Sequence, residues 1–254
     1  MAGAKPNSLA KDELLSAEKE RKILTNVSSW YKNTNWGFYT KIVWYSYVSI
    51  KPFFKGEHCL EMGPADGEMT RFIKDDFKKL TVVDASDEYV KAAQKLGKNI
   101  SGHTALFEEF EPKEKYDTIV MSHVLEHVHD PVQILERAKK WLAPGGRIIA
   151  VVPNADSMHR RLGVKLGMLQ AETDLNDQDI EIGHRRVYTR EALDRDIKAA
   201  GLHSITKGGI FLKLLSNTQM LTFEDDKLID AMFELGKDFP QYCSEIYAVI
   251  VPRG

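Results

Sequence analysis

The chain is poor in the features that would take it out of the ordinary run of globular proteins. It has two cysteines in 254 residues, Cys59 and Cys243. Both fall in apolar, strand-like stretches, so neither a disulfide framework nor a cysteine metal cluster is indicated; they read as reduced core residues of a cytoplasmic protein. No apolar run approaches the roughly 20 residues of a membrane-spanning helix. Residues 1–22 are polar and charged, without the apolar stretch of a secretory signal, so export is not expected. Positive charge is not in excess: 35 Lys and Arg stand against 37 Asp and Glu, a net charge of −2. That balance speaks against a general nucleic-acid surface or an anionic membrane surface. Internal repeats and low-complexity segments are missing too.

What is present is the composition of a folded α/β protein, 43% hydrophobic and 28% charged, long enough for one domain with an insertion. From His58 onward strand and helix signals alternate, the pattern of a doubly wound sheet. Strands are predicted near 57–62, 80–84, 101–105, 116–121 and 146–152, and helices near 67–77, 87–97 and 131–142. Ala143-Pro144-Gly145-Gly146 stops the last of these helices. Residues 155–187 break the alternation and form an insertion. A helix over 189–200 follows, capped by Thr189 with Glu191 in its first turn. Strands near 204–213 and 243–251, with a helix at 225–236 between them, complete the pattern. Ahead of the first strand, residues 1–25 suggest a solvated tail leading into a helix over Lys11–Thr25. The aromatic-rich stretch after it (Trp30, Tyr31, Trp36, Phe38, Tyr39, Trp44, Tyr45, Tyr47, Phe53, Phe54) suits core packing, and its density also suits a helical lid. The organisation expected is thus a tail and lid over 1–55 and a cofactor-binding domain over 56–254, with a cap at 155–187.

The run His58-Cys59-Leu60-Glu61-Met62-Gly63-Pro64-Ala65-Asp66-Gly67 carries the most information. An apolar strand ends in an acid, a glycine turn follows, and a helix begins. About twenty residues on, Leu80-Thr81-Val82-Val83-Asp84 is a second buried strand ending in an acid. Such a pair marks a nucleotide-type cofactor lying across the carboxyl ends of two parallel strands. Gly63 and Gly67 let the backbone come close to the ligand, and Asp84 can accept hydrogen bonds from both ribose hydroxyls. A dinucleotide is disfavoured, because Asp66 and Glu68 occupy the turn where a pyrophosphate would sit. An adenosine with a cationic amino-acid tail suits the turn better, its ammonium meeting Glu61 and its neighbours.

This stretch resembles motif I of the class I S-adenosylmethionine (SAM) methyltransferases, E/D-x-G-x-G-x-G, with Ala65 in place of the middle glycine. Tyr116 to Val128, Tyr-Asp-Thr-Ile-Val-Met-Ser-His-Val-Leu-Glu-His-Val, resembles the family's motif IV. Leu142-Ala143-Pro144-Gly145-Gly146 resembles its L-x-P-G-G turn. The likeness covers about residues 56–153 and returns near 184–212, closest to the small-molecule type and the ubiquinone-biosynthesis O-methyltransferases. It implies a Rossmann-like, doubly wound, seven-stranded sheet with an antiparallel last strand. It also implies SAM as cofactor, S-adenosyl-L-homocysteine as product and a cytoplasmic methyltransferase. The cofactor set expected is Glu61, Gly63, Ala65, Gly67, Asp84, Ala85 and Ser122, with Leu106 and Phe107 on the adenine face and Glu108 near its edge.

His123 follows strand four, where a base would meet the methyl acceptor. The spacing His123-x-x-Glu126-His127 allows a second reading. Metal-using ubiquinone-type and plant small-RNA methyltransferases carry E-x-x-E-H there, and His184 from the insertion would be a further ligand. A divalent metal is nonetheless not favoured, since V-L-E-H-V is also a common helix entry in metal-free relatives. Gly183-His184-Arg185-Arg186-Val187-Tyr188-Thr189 resembles a segment beside the acceptor pocket of small-molecule enzymes. Tyr31, Trp36, Tyr39, His127, His184, Arg185 and Arg186 are therefore the candidate acceptor residues, the arginines suiting a carboxylate or phosphate. The D/N-P-P-Y/F signature of amino-group base methylation is replaced by Ser122-His123-Val124-Leu125. A small-molecule acceptor, methylated on O or N, is expected ahead of a protein or RNA; the acceptor's identity and the oligomeric state stay open.

Overall fold

Seven strands form one sheet in the order β3-β2-β1-β4-β5-β7-β6. The computed structural model describes residues 36–222 and 225–253, together with the backbone but not the side chain of Trp36. The strands are β1 His58–Met62, β2 Lys79–Asp84, β3 Ile100–Thr104, β4 Tyr116–Ser122, β5 Leu142–Pro153, β6 Leu202–Ile210 and β7 Glu245–Pro252. The first five pair in parallel, and β7 runs antiparallel between β5 and β6. This is the Rossmann-like methyltransferase topology. The strand order reverses between β1 and β4, so a crevice opens beyond their carboxyl ends. Register aligns the ends that matter: Met62 lies beside Val83 and Met121.

The central strands are buried on both faces, as their unbroken apolar runs dictate. Leu60, Met62, Ile119 and Met121 face the side covered by α4 (Pro131–Trp141) and α7 (Arg190–Ala199). Cys59, Val82, Val120 and Val151 face the other side, under α1 (Trp36–Ile50) and α2 (Glu68–Ile73). Both cysteines are buried and unpaired. In α1, Tyr45 stacks on Phe211 and Phe233 with ring centroids 5.6 and 4.3 Å apart. Its hydroxyl donates to Asp230 at 2.5 Å. The remaining helices are α3 (Asp87–Gln94), α5 (Met158–Lys165), α6 (Asp177–Glu181), α8 (Asn217–Met220) and α9 (Asp226–Gly236).

Several boundaries differ from those predicted. α2 stops at Ile73 and not near 77, because a turn closed by Asp76 N–H to Ile73 O (3.0 Å) sends Phe77 into the core. The Pro-Gly-Gly turn does not simply precede the fifth strand. Leu142 already pairs with Tyr116, the register shifts, and pairing resumes at Thr118 with Arg147. Gly146 accommodates the bulge, since a Cβ there would lie 2.8 Å from Tyr116 O. β6 ends at Ile210, not 213, because Phe211 turns to φ +60°. The helix predicted over Lys11–Thr25, and Trp30 and Tyr31, lie outside the described residues.

Candidate active site

Two cavities meet beyond the carboxyl ends of β1 and β4. They share Gly63, Ala65 and His123 on their walls. The first, about 120 Å³, is lined mainly by apolar groups, including Ala85, Tyr89, Leu106 and Phe107, with Asp84 and Glu108 at its polar points. The second, about 280 Å³, is lined by Tyr39, Ile42 and Val43 of α1, by Glu61, Asp66 and Ser122, and by side chains of the insertion and of the 213–217 and 244–245 segments.

The turn between β1 and α2 is shaped for a close backbone approach. Gly63 has φ +68°, and a Cβ there would meet Val124 Cγ2 at 3.3 Å and Phe107 Cζ at 3.6 Å. Gly67 caps α2 at φ +88°. Ala65, standing where the motif has a glycine, takes φ +48°. A left-handed alanine costs on the order of 1 kcal/mol, so the missing glycine is replaced at a modest energetic cost without loss of the turn.

Carboxylates set the electrostatics. Glu61 is buried and accepts a 2.7 Å hydrogen bond from the Thr70 hydroxyl. Burial pushes its carboxyl up to about 7, helped by the charge of Asp84 and opposed by Thr70. Asp84 rises to about 6 through burial, although the amides of Ser86, Ala65 and Ala85 pull the other way; Ser86 N–H lies 2.8 Å from Oδ1. Asp66 rises to about 6 through burial and the neighbouring Glu68. Three acids held above their usual range want a cation and hydrogen-bond donors. SAM, with its sulfonium, ammonium and ribose hydroxyls, supplies these, and the apolar Leu106–Phe107 wall suits an adenine face. The residues present therefore fit that cofactor.

His123 has φ +56° and stands where the cavities join. Its Nδ1 lies 2.9 Å from Glu126 Oε1 and its Nε2 lies 3.3 Å from Glu245 Oε1. Burial alone would lower its pKa, but the two carboxylates prevail and hold it well above the usual histidine value. Both ring nitrogens of His123 are thus engaged by carboxylates at the junction of the cavities. Glu245 Oε2 also accepts from Ser46 Oγ at 2.7 Å. Glu245 escaped the sequence reading, though an acid opening the apolar run Ile246–Val251 was a visible signal.

The metal-type triplet changes membership. Among the described residues the donors brought together are Glu126, His127 and His184, all within 4.8 Å of one another. His123 is not one of them: its Nδ1 is held by Glu126 Oε1 and its Nε2 faces Glu245. Glu126 Oε2 is buried without a hydrogen-bond partner. Burial lowers His127 to about 4, leaving it neutral. His184 Nδ1 lies 3.0 Å from Asp179 Oδ1.

Arg185 and Arg186 line neither cavity. Arg185 Nε donates to His127 O at 2.8 Å, and Arg186 donates to the carbonyls of Leu125, Val128 and His129 at 2.6–3.0 Å. They staple the loop after β4. Arg160 is buried with Asp179 at 3.2 Å and clips α5 to α6. Tyr39 accepts a 3.2 Å hydrogen bond from Gln178 across the second cavity. Tyr31 lies outside the described residues, and Trp36 is placed only as the first residue of α1. Sequence reasoning also missed His159 and Lys213 on the cavity wall. Lys213, alone in the run Ile210-Phe211-Leu212-Lys213-Leu214-Leu215, was the more visible of the two.

Comparison with known proteins agrees with this geometry. A family model for a methyltransferase domain matches residues 43–207. A ubiquinone biosynthesis O-methyltransferase of Caulobacter sp. (strain K31) is 31% identical over 107 residues, covering 40% of this chain and 42% of the relative. The chain spans less than half the length of the curated relatives it matches. A SAM-dependent methyltransferase of Thermotoga maritima, described as a possible histamine N-methyltransferase, superposes with TM-score 0.62 at 16% identity, covering 91% of this chain and 100% of that one. The N-methyltransferase NodS of Bradyrhizobium japonicum WM9, solved with S-adenosyl-L-homocysteine, does so with TM-score 0.55 at 17% identity, covering 93% and 98%. At such identities the likeness to solved structures concerns the fold. The family match, the strand order and the carboxylate-lined crevice together make this chain a member of the class I SAM-dependent methyltransferases.

Proposed function

We propose that the chain moves a methyl group from SAM to an oxygen or nitrogen of a small, anionic metabolite. The observation that carries this reading is the pair of cavities joined at His123, one shaped for an adenosine and the other walled off between α1 and the insertion. When bound, SAM supplies a methyl already activated on a sulfonium for in-line displacement. Asp84 accepts hydrogen bonds from the ribose hydroxyls, Leu106 and Phe107 cover the base, and Glu61 with the Gly63 turn receives the amino-acid tail. Ser122 completes the floor at the end of β4. The insertion acts as a cap and α1 as a lid: Tyr39, Ile42 and Val43 exclude water from the acceptor, whose nucleophile water would otherwise solvate. In this arrangement His123 orients Glu245, and Glu245 receives the acceptor's proton. His184 borders the same space, and His127 lines the adenosine cavity beside it. The names of the ubiquinone and possible histamine methyltransferases refer to small acceptors of those proteins, which supports the same class here.

The test is transfer from methyl-labelled SAM to a panel of carboxylate- and phosphate-bearing phenols, catechols and amines. Label entering only protein or RNA fractions, with the panel inert, would overturn the small-molecule reading.

A second reading is favoured by one observation, the unpartnered buried Glu126 Oε2 beside two histidines. One carboxylate and two imidazoles fit a nitrogen-preferring divalent ion. Asp179 on Nδ1 of His184 would fix that ring with Nε2 free to coordinate. The ion would polarise an acceptor oxygen. Zinc titration followed by calorimetry separates the readings: one-to-one binding lost in His184→Ala supports the metal, and turnover untouched by chelator removes it.

A further inference from the structure

The far end of the second cavity holds a lysine that nothing described so far uses. Lys213 is 5% exposed and lies on the cavity wall. Among the described residues its hydrogen-bond partner is the amide oxygen of Asn217, a neutral group. No carboxylate of these residues forms an ion pair with it. The nearby acids that act on it, Glu245 and Asp179, are otherwise engaged. Glu245 holds His123 and Ser46, and Asp179 holds Arg160, His184 and the Asn176 amide.

Beside it, His159 lines the same cavity with Nδ1 buried and unpartnered. Burial, together with the charges of Lys213 and Arg160, lowers its pKa well below the usual histidine value, so the ring is neutral and retains one N–H. A buried ammonium without a counter-ion is costly, and removing the deficit calls for an anion within reach. The cavity is the space from which that anion can come.

The position of Lys213 is set firmly. Phe211, two residues earlier, is fully buried at φ +60° and packs on Phe38 and Tyr45. Ser244 N–H donates to Phe211 O at 2.8 Å, so the segment before Lys213 is tied to the residue before Glu245.

We propose that this end of the second cavity binds the anionic oxygens of the methyl acceptor, a carboxylate or a phosphate, with Lys213 as counter-ion and His159 as hydrogen-bond donor. The assignment rests on the methyltransferase reading and moves the anion contact from Arg185 and Arg186 to a different part of the chain. Glu245 contacts His123 and its charge also reaches Lys213, so an acceptor anchored at Lys213 would extend its nucleophile towards the junction of the cavities. The ammonium is also the group most responsive to such a ligand: burial brings its pKa down to about 8, and an anion would raise it again.

The experiment uses the full chain saturated with S-adenosyl-L-homocysteine. Acetate and inorganic phosphate are titrated in separate arms by calorimetry, followed by 4-hydroxybenzoate and its amide, 4-hydroxybenzamide. Saturable binding of at least one small anion is expected, and at least a tenfold preference for the acid over the amide. The arm that saturates tells carboxylate from phosphate. Lys213→Met and Lys213→Gln should each weaken anion binding tenfold or more, while affinity for S-adenosyl-L-homocysteine stays within twofold and reports that the fold is intact. Lys213→Arg should keep most of the anion affinity. No saturable anion binding to the unaltered protein, or equal binding by the Met and Gln variants, overturns the subsite and leaves the cofactor reading standing. Failure to bind S-adenosyl-L-homocysteine in the unaltered protein overturns the cofactor reading itself.

Discussion

Asp84 closes β2 with its carboxylate held by backbone amides, so its geometry is set before any ligand arrives. Asp84→Ala should lose a bidentate, charge-assisted contact of about 2–4 kcal/mol, a roughly 30- to 1000-fold fall in SAM affinity by calorimetry. Glu61 adds a pH dependence. Its carboxyl sits at about 7 in the free protein, and a bound ammonium would pull it down. Binding should therefore release a proton near neutral pH, and affinity should be full above pH 7 and fall as pH drops through it. Calorimetry in buffers of different ionisation heat measures that proton; a pH-independent affinity would remove Glu61 from the tail site. His123→Asn should lower kcat and leave SAM affinity within a few fold, because its contacts are to Glu126 and Glu245 and not to the adenosine cavity's acids. At this scale the sequence was most legible where chemistry depends on neighbours in the chain. Acids at strand ends and glycines in a turn are local signals. The pairing of His123 with Glu245 and of Arg186 with the 125–129 carbonyls is not, because each joins segments far apart in the chain that only the folded sheet brings together.

The loop after β4 shows how elements hold residues in place. Residues 125–129 have their carbonyls tied to Arg185 and Arg186, which belong to the end of the insertion. The insertion is in turn clipped by Arg160 and Asp179, whose side chains are 6% and 11% exposed. Arg160→Met removes one of three partners of Asp179, which keeps His184 and the Asn176 amide, and a loss of about 2 kcal/mol in unfolding free energy is expected by denaturant titration. KM for the acceptor should rise more than Kd for SAM, since α5 and α6 border the second cavity and not the first. α7 makes a smaller test: Thr189 Oγ1 accepts from Ala192 N–H at 3.1 Å, as its place before Arg190 predicted, and Thr189→Ala should cost about 1 kcal/mol. Strands and caps were readable because periodicity and capping act within a few residues. The start of β5 was not, since a bulge against Tyr116 depends on the neighbouring strand's register.

Across the whole molecule, the order β3-β2-β1-β4-β5-β7-β6 puts every parallel strand's carboxyl end on one edge. No helix among the described residues is long and apolar enough to cross a membrane. Saturation with S-adenosyl-L-homocysteine at 100 times its Kd should stabilise the folded chain by about 2.7 kcal/mol, read as a rise in Tm. β7 differs from its neighbours in direction, and so its first residue, Glu245, arrives at the edge where the others finish. That has a consequence for how the protein is made. Ser46 and Glu245 share a hydrogen bond across 199 residues of chain. At the usual pace of translation, those two residues leave the ribosome on the order of 10 to 40 s apart. For the later part of that interval the nascent chain carries His123 without its partner Glu245. It also carries β5 with an open edge from Ile148 to Pro153, a template for pairing with another chain. A product released from a ribosome stalled before β7 would thus lack Glu245, keep that open edge and be prone to aggregate, and it should be a client of chaperones.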